Sequence, residues 1–209
     1  MSVSAYQSNQ VSTSYPNHVK HEYFTLFEKA ASVYAYQHAD GDIQDNDYFV
    51  QRIEDGFLIA PAKIIGFGKS FDPQSISLVH SYHRDTNILS WSGEVQPPSG
   101  AGSIAILFSD LPHIDSVFHS DAELMTNNPT AKTPRVKVTE PLPSSDEATL
   151  GKMLVETLLL GNTNNIIVPG QGEFFIGGNT VQNNEDLTTL LQRTVKQTKL
   201  ASQPVPAVS

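Results

Sequence analysis

The residues best placed for chemistry lie between Pro97 and Asp121, in the stretch PPSGAGSIAILFSDLPHIDSVFHSD. A short loop at 97–100 leads into an apolar run at 104–108, Pro112 makes a turn, and a second apolar run ends at His119. A loop that hands an imidazole to the end of a buried strand is a common way to build a site, because pockets gather at strand ends in α/β domains. Other groups compete. His80 and His83 form H-x-x-H, which would join two imidazoles on a helix but sets them on opposite faces where a strand passes into a turn. The acidic run 40–47 invites a calcium reading, yet it lacks the glycine at the sixth position and the closing glutamate of such a loop. A solvated, turn-rich loop is the plainer reading. Lys63 could act as a Schiff-base amine if burial lowered its pKa, although one lysine beside an apolar run is ordinarily solvated. The chain has no cysteine, which removes disulfides, thiolate ligands and a thiol nucleophile together.

The elements that must position these groups follow from periodicity. Residues 1–16 are rich in Ser, Gln, Asn and Thr without apolar period and read as a disordered tail. A helix is expected over 17–37, with Tyr23, Phe24, Phe27, Ala31 and Tyr34 near one face and Asn17 as its cap. Short strands follow at 48–53, 57–59, 76–81 and 88–91, a spacing that argues for a mostly antiparallel sheet in this half. Ser144 with Glu147 three residues later forms a capping box, opening a helix whose apolar face carries Leu150, Met153, Leu154 and Leu158. Strands at 166–168 and 173–176 flank the turn Pro169-Gly170-Gln171-Gly172, and a last helix spans 184–200. One domain over 17–200 is expected, with a loose tail at 201–209.

Thirteen Lys+Arg against 22 Asp+Glu give a net charge of −9. That balance argues against nucleic acid and against an anionic membrane surface, both of which need concentrated positive charge. The N-terminus has neither a basic region nor an apolar core, so no secretory signal is read there, and no run approaches the ~20 apolar residues of a membrane span. The expectation is a soluble, cytoplasmic protein.

Three stretches then fall in a telling order: Gly41-Asp42-Ile43 followed by FLIAP at 57–61; the PPSG loop through PHIDSVFHSD; and IIVPGQGEFFIGG at 166–178 followed by a helix. This arrangement resembles the class II aldolase/adducin family, whose members show a G-N-x-S turn, f-L-I-t-P-S-G, a P-S-S-E loop, P-D-x-x-a-V-v-H-t-H and an N-H-G turn. The likeness covers about residues 20–200. It implies a three-layer α/β/α fold with a central, largely antiparallel mixed sheet. It also implies a fourfold homo-oligomer and a zinc or similar divalent site, in which three His hold the metal and the loop Glu moves a proton.

Carried over position by position, the resemblance loses most of that machinery. The first strand-end His is His119, the second falls on Asp121, the His of N-H-G falls on Gln171, and the Glu of P-S-S-E falls on Gly100. The phosphate turn becomes Ala60-Pro61-Ala62-Lys63, which loses a hydroxyl and gains a charge. His119 and Asp121, two apart on a strand, share a face and could hold a metal weakly with Gln171, but a hydrogen-bonded strand-end pair is preferred. Glu173 is a possible replacement acid; Glu94 and Glu123 do not match the place. Lys63, Ser99, Gly100 and Gln171 are the candidate substrate-binding residues. The expectation is a pseudoenzyme: a non-catalytic binding or assembly protein without a cofactor, homo-oligomeric, open to a small-molecule ligand. The alternative is a lyase with Zn²⁺ or another divalent metal, acting on a sugar phosphate or related hydroxy-carbonyl compound. The matching also predicts that the triple change Gly100→Glu, Asp121→His, Gln171→His restores metal binding.

Overall fold

The computed structural model describes residues 6–15, 19, 21–37, 46–62, 72–121, 136–142, 146–161, 163–178 and 187–201, with the backbone alone at 35–37 and 195–201. Nine strands and four helices are found among them. In chain order they are β1 Gln7–Ser12, α1 His21–Gln37, β2 Tyr48–Ile53, β3 Gly56–Pro61, β4 Ser77–His83, β5 Ile88–Ser92, α2 Ala101–Asp110, β6 Ser116–Ser120, β7 Val136–Val138, α3 Glu147–Leu160, β8 Asn165–Val168, β9 Gly172–Gly177 and α4 Leu187–Ala201. The strands form one sheet in the order β1-β5-β4-β3-β2-β6-β9-β8-β7. Among these strands only the two outermost pairings, β1 with β5 and β7 with β8, are parallel; the other six are antiparallel.

Alternation along the central strands sorts their side chains into two cores. Tyr48, Val50, Val117, Phe174 and Ile176 join Ile104, Leu107, Leu150 and Leu154 of α2 and α3 on one face. Phe49, Phe118 and Phe175 join Phe27, Tyr34, Leu187 and Leu191 of α1 and α4 on the other. Strands buried on both faces cannot show the simple in–out alternation of a solvated sheet. The expected three-layer α/β/α fold is therefore the observed one.

Several expectations need correction. The disordered tail at 1–16 contains β1, which pairs with β5 from Gln7 to Ser12. Five of its six side chains are exposed, so it has no apolar pattern to read. It is held by backbone pairing, by the buried Tyr6, and by Trp91 Nε1, which donates to Ser8 Oγ at 2.7 Å. His80 and His83 both lie within β4, where the register shifts between Val79 and Ser81; His80 Nε2 sits 2.8 Å from Ser92 Oγ. The capping box is replaced by another cap. Ser144 lies outside the described residues, and Asp146 caps α3, its Oδ1 accepting from Thr149 N at 2.7 Å.

The apolar run at 104–108 belongs to α2, which is held at both ends. Arg52 of β2 donates to the carbonyls of Phe108 at 2.7 Å and Leu111 at 3.1 Å, where the helix leaves acceptors unsatisfied. At the other end Glu147 accepts from Gly100 N at 2.8 Å and Ser103 N at 2.8 Å. Along its length α2 meets α3 closely: a Cβ at Gly151 would stand 2.8 Å from Ile106 Cβ. Gly151→Ala should therefore destabilise the fold by about 1–2 kcal/mol from overpacking, although alanine alone would favour the helix by about 1 kcal/mol. Urea denaturation checks the sign.

Candidate functional site

The strand ends on the α2/α3 side enclose a cavity of about 190 Å³. Asn46 and Tyr48 line it from the start of β2, Ser99 and Gly100 from the loop before α2, and His119 and Asp121 from the end of β6. Gly170, Gln171 and Phe174 come from the β8–β9 turn and β9, and Leu150 from α3. The structure thus brings together Ser99, Gly100, His119, Asp121 and Gln171, which lie up to 72 positions apart in the chain. Lys63 and Glu123 lie outside the described residues. Glu173 is absent from this cavity's lining and lines a neighbouring hollow with Ile167 and Pro169. Strand alternation turns it to the face opposite Phe174, so it is no replacement acid here.

Register explains the position of His119. Tyr48 pairs with His119, and His119 with Phe174, across β2, β6 and β9. The Tyr48 ring stacks on the imidazole at 4.5 Å between centroids, and Phe174 tilts against it at 4.6 Å. The two ring nitrogens then meet backbone carbonyls: Nε2 is 2.7 Å from Gln171 O, and Nδ1 is 3.2 Å from Asn46 O. Burial pushes the imidazole below its ordinary pKa, against the pull of the two carbonyls and of Asp47 and Asp121. We assign the neutral ring with its proton on Nε2, toward the nearer carbonyl. His119 thus joins the end of β6 to the β8–β9 turn, with Nδ1 facing Asn46 O; it does not pair with Asp121.

Asp121 is engaged elsewhere. Its Oδ2 accepts from Asn46 Nδ2 at 2.9 Å, and its backbone N–H donates to Asp47 Oδ1 at 2.6 Å. Asp47 corrects the solvated-loop reading of 40–47 at its last position: it is 1 % exposed. Its carboxylate also takes a hydrogen bond from the Tyr34 hydroxyl. The rest of that run up to Asp45 lies outside the described residues.

The position that the resemblance assigns to a glutamate, Gly100, has no room for a side chain. Gly100 has φ +98°, and a Cβ built there would stand 2.6 Å from the Tyr48 hydroxyl. Tyr48 thus fills the space that a side chain at 100 would need. Behind this loop lies Glu147, fully buried, with Ser103 Oγ donating at 2.6 Å besides the two backbone donors of α2. Burial pushes this carboxyl up while those donors pull it down, and burial prevails. In the sequence Glu147 reads as part of a local cap and Tyr48 as the start of a strand. Only their cross-chain contacts reveal what they do.

The donor set does not fit a divalent metal. The imidazole lone pair and proton both face carbonyls, Asp121 holds the Asn46 amide, and Gln171 meets His119 through its backbone. Among the described residues no three His, Cys, Asp or Glu side chains group as ligands.

Two expected outcomes follow from this geometry. With the folded pKa of His119 depressed below 6.5, the unfolded chain binds the extra proton as pH falls through that value. The contribution of the neutral ring is therefore full above 6.5 and is lost below it, levelling off under the folded pKa, at no more than about 1.4 kcal/mol per pH unit. Denaturant midpoints measured between about pH 7.5 and pH 5.5 should fall less steeply in His119→Gln than in the wild type. The second concerns Gly100. The triple change Gly100→Glu, Asp121→His, Gln171→His should take up Zn²⁺ only when Tyr48 is also shortened to Ala. Equal uptake by the triple and quadruple variants in native mass spectrometry would show that Tyr48 is no obstacle.

No family model and no curated protein matches the chain. Solved structures do. L-fuculose-1-phosphate aldolase from Thermus thermophilus aligns with a TM-score of 0.58 at 15% identity, covering 84% of this chain and 91% of that one. YgbL from Klebsiella pneumoniae gives 0.57 at 14% identity, with 84% and 87% covered. An aldolase II superfamily protein from Pseudomonas syringae gives 0.52 at 15% identity, with 90% and 78% covered. Likeness at these identities speaks to architecture, and the architecture of this chain is that of the class II aldolases.

Proposed function

We propose that this protein is a non-catalytic binding or assembly protein built on the class II aldolase fold, a pseudoenzyme without a resident metal. The observation that carries the proposal is the crowding of both His119 nitrogens by backbone carbonyls: Nε2–H donates to Gln171 O at 2.7 Å, and the Nδ1 lone pair faces Asn46 O at 3.2 Å rather than open space. A zinc ligand must offer a nitrogen lone pair to open space, and this imidazole offers none. Its Nε2–H ties the end of β6 to the β8–β9 turn. Asp121 and Gly100 support the same reading, the first through its amide partner and the second through the tyrosine that fills its place. A homo-oligomer, tetrameric by the resemblance, and a cytoplasmic location belong to the same proposal. Among the described residues no helix is long and apolar enough to cross a membrane.

One observation favours the second reading, a lyase acting on a sugar phosphate or related hydroxy-carbonyl compound with a divalent metal. A cavity persists at the positions matched to the family's site. That reading needs a Lewis acid that the present donors do not fit, and a proton carrier where Gly100 stands.

Elemental analysis of protein purified without chelator or metal-affinity tag, paired with a cleavage assay on L-fuculose 1-phosphate, tests the choice. Substoichiometric transition metal and no cleavage above the buffer rate are expected. One equivalent of zinc per chain with metal-dependent cleavage would overturn the proposal.

A further inference from the structure

The same cavity holds a polar group that nothing among the described residues satisfies. Tyr48 as a whole is 1 % exposed, but its hydroxyl faces the cavity and carries no hydrogen bond to those residues. That hydroxyl is the atom nearest the space above Gly100, and both residues line the cavity. The hydroxyl opens onto the cavity, so a ligand oxygen placed there can accept from it. Burial, with Glu147 and Asp121 nearby, holds the phenol well above its ordinary pKa, so it stays protonated and donates. Across the cavity the exposed Asp121 carboxylate accepts.

The charge of the surroundings selects further. Asp47 and Glu147 lie just behind the wall, and among the described residues the lining has no Lys or Arg. At the positions matched to the phosphate turn, Ala62 is fully buried and its N–H already donates to Asp47 O at 2.7 Å. That backbone donor is engaged internally and is not offered to a phosphate.

We infer that the cavity binds a small uncharged polyhydroxy or hydroxy-carbonyl compound, with an oxygen accepting from Tyr48 Oη and a hydroxyl donating to Asp121, and that it rejects the phosphate ester of the same compound. Leu150 and Phe174 supply the apolar wall for the ligand's carbon skeleton. This selectivity rests on the proposed function in one respect: no metal intervenes between ligand and protein.

Saturation-transfer NMR on the full chain tests it, with dihydroxyacetone and dihydroxyacetone phosphate as the probes. The uncharged probe should bind saturably and about tenfold more tightly than its ester. Tyr48→Phe, which removes only the hydroxyl, should weaken dihydroxyacetone about fivefold. Asp121→Asn should shrink the preference over the ester toward unity, a result that a merely structural aspartate would not give. Thermal melts of both variants show whether they remain folded, and Ser99→Ala serves as a second lining change if either does not. No saturable binding of dihydroxyacetone, or equal or tighter binding of the ester, overturns the inference. Tighter binding of the ester without metal or turnover leaves the non-catalytic reading standing. Metal-dependent cleavage of a sugar phosphate removes that reading instead.

Discussion

Everything at this site depends on the register of three strands. β2, β6 and β9 are paired so that Tyr48, His119 and Phe174 form one lateral row, and Phe49, Phe118 and Phe175 form the row behind it. The rear row is a stack of phenyl rings at 5.6 Å spacings, with Tyr34 edge-on at 5.5 Å from Phe49 and from Phe118. Cross-strand aromatic pairs of this kind contribute about 0.5–1.5 kcal/mol beyond the area they bury. A slip of one residue would exchange the rows and put His119 into an apolar core. The rear row therefore fixes the front row, and the site inherits its geometry from a part of the molecule that never meets a ligand.

The loops around the cavity are tied by buried carboxylates. The Asp47 carboxylate joins the entry to β2, the exit from β6 and helix α1 through Asp121 N and the Tyr34 hydroxyl. Glu147 joins the first turns of α2 and α3, so two helix N-termini converge on one carboxylate, where the helix dipoles favour negative charge. Each acid satisfies several donors at once.

How much can be read beforehand differs by residue. The order of the motifs around Pro61, His119 and Gln171 carries a resemblance that implies the α/β/α sandwich, while strand ends and their following loops are local features and point to the cavity's lining. β1 escapes because an exposed edge strand of Gln, Ser and Asn carries no hydrophobic period. The burial of Asp47 escapes because its neighbours 40–46 are mostly acidic and polar, and its distant contacts with Tyr34, Ser120 and Asp121 set it apart. Glu147 reads as a local cap because its partners lie 44 and 47 positions away. The misreading of Glu173 is one that parity can correct: it neighbours Phe174, which the apolar face claims, and alternation along a strand sends it the other way.

The seam between β1 and β5 has a use of its own. The chain contains one tryptophan, and its indole nitrogen is bonded to Ser8 while its ring is almost wholly buried against the same sheet face as the cavity. An indole so placed is an intrinsic optical gauge. Its emission colour would register whether the amino-terminal ribbon is seated or peeled away, with no label attached to the chain.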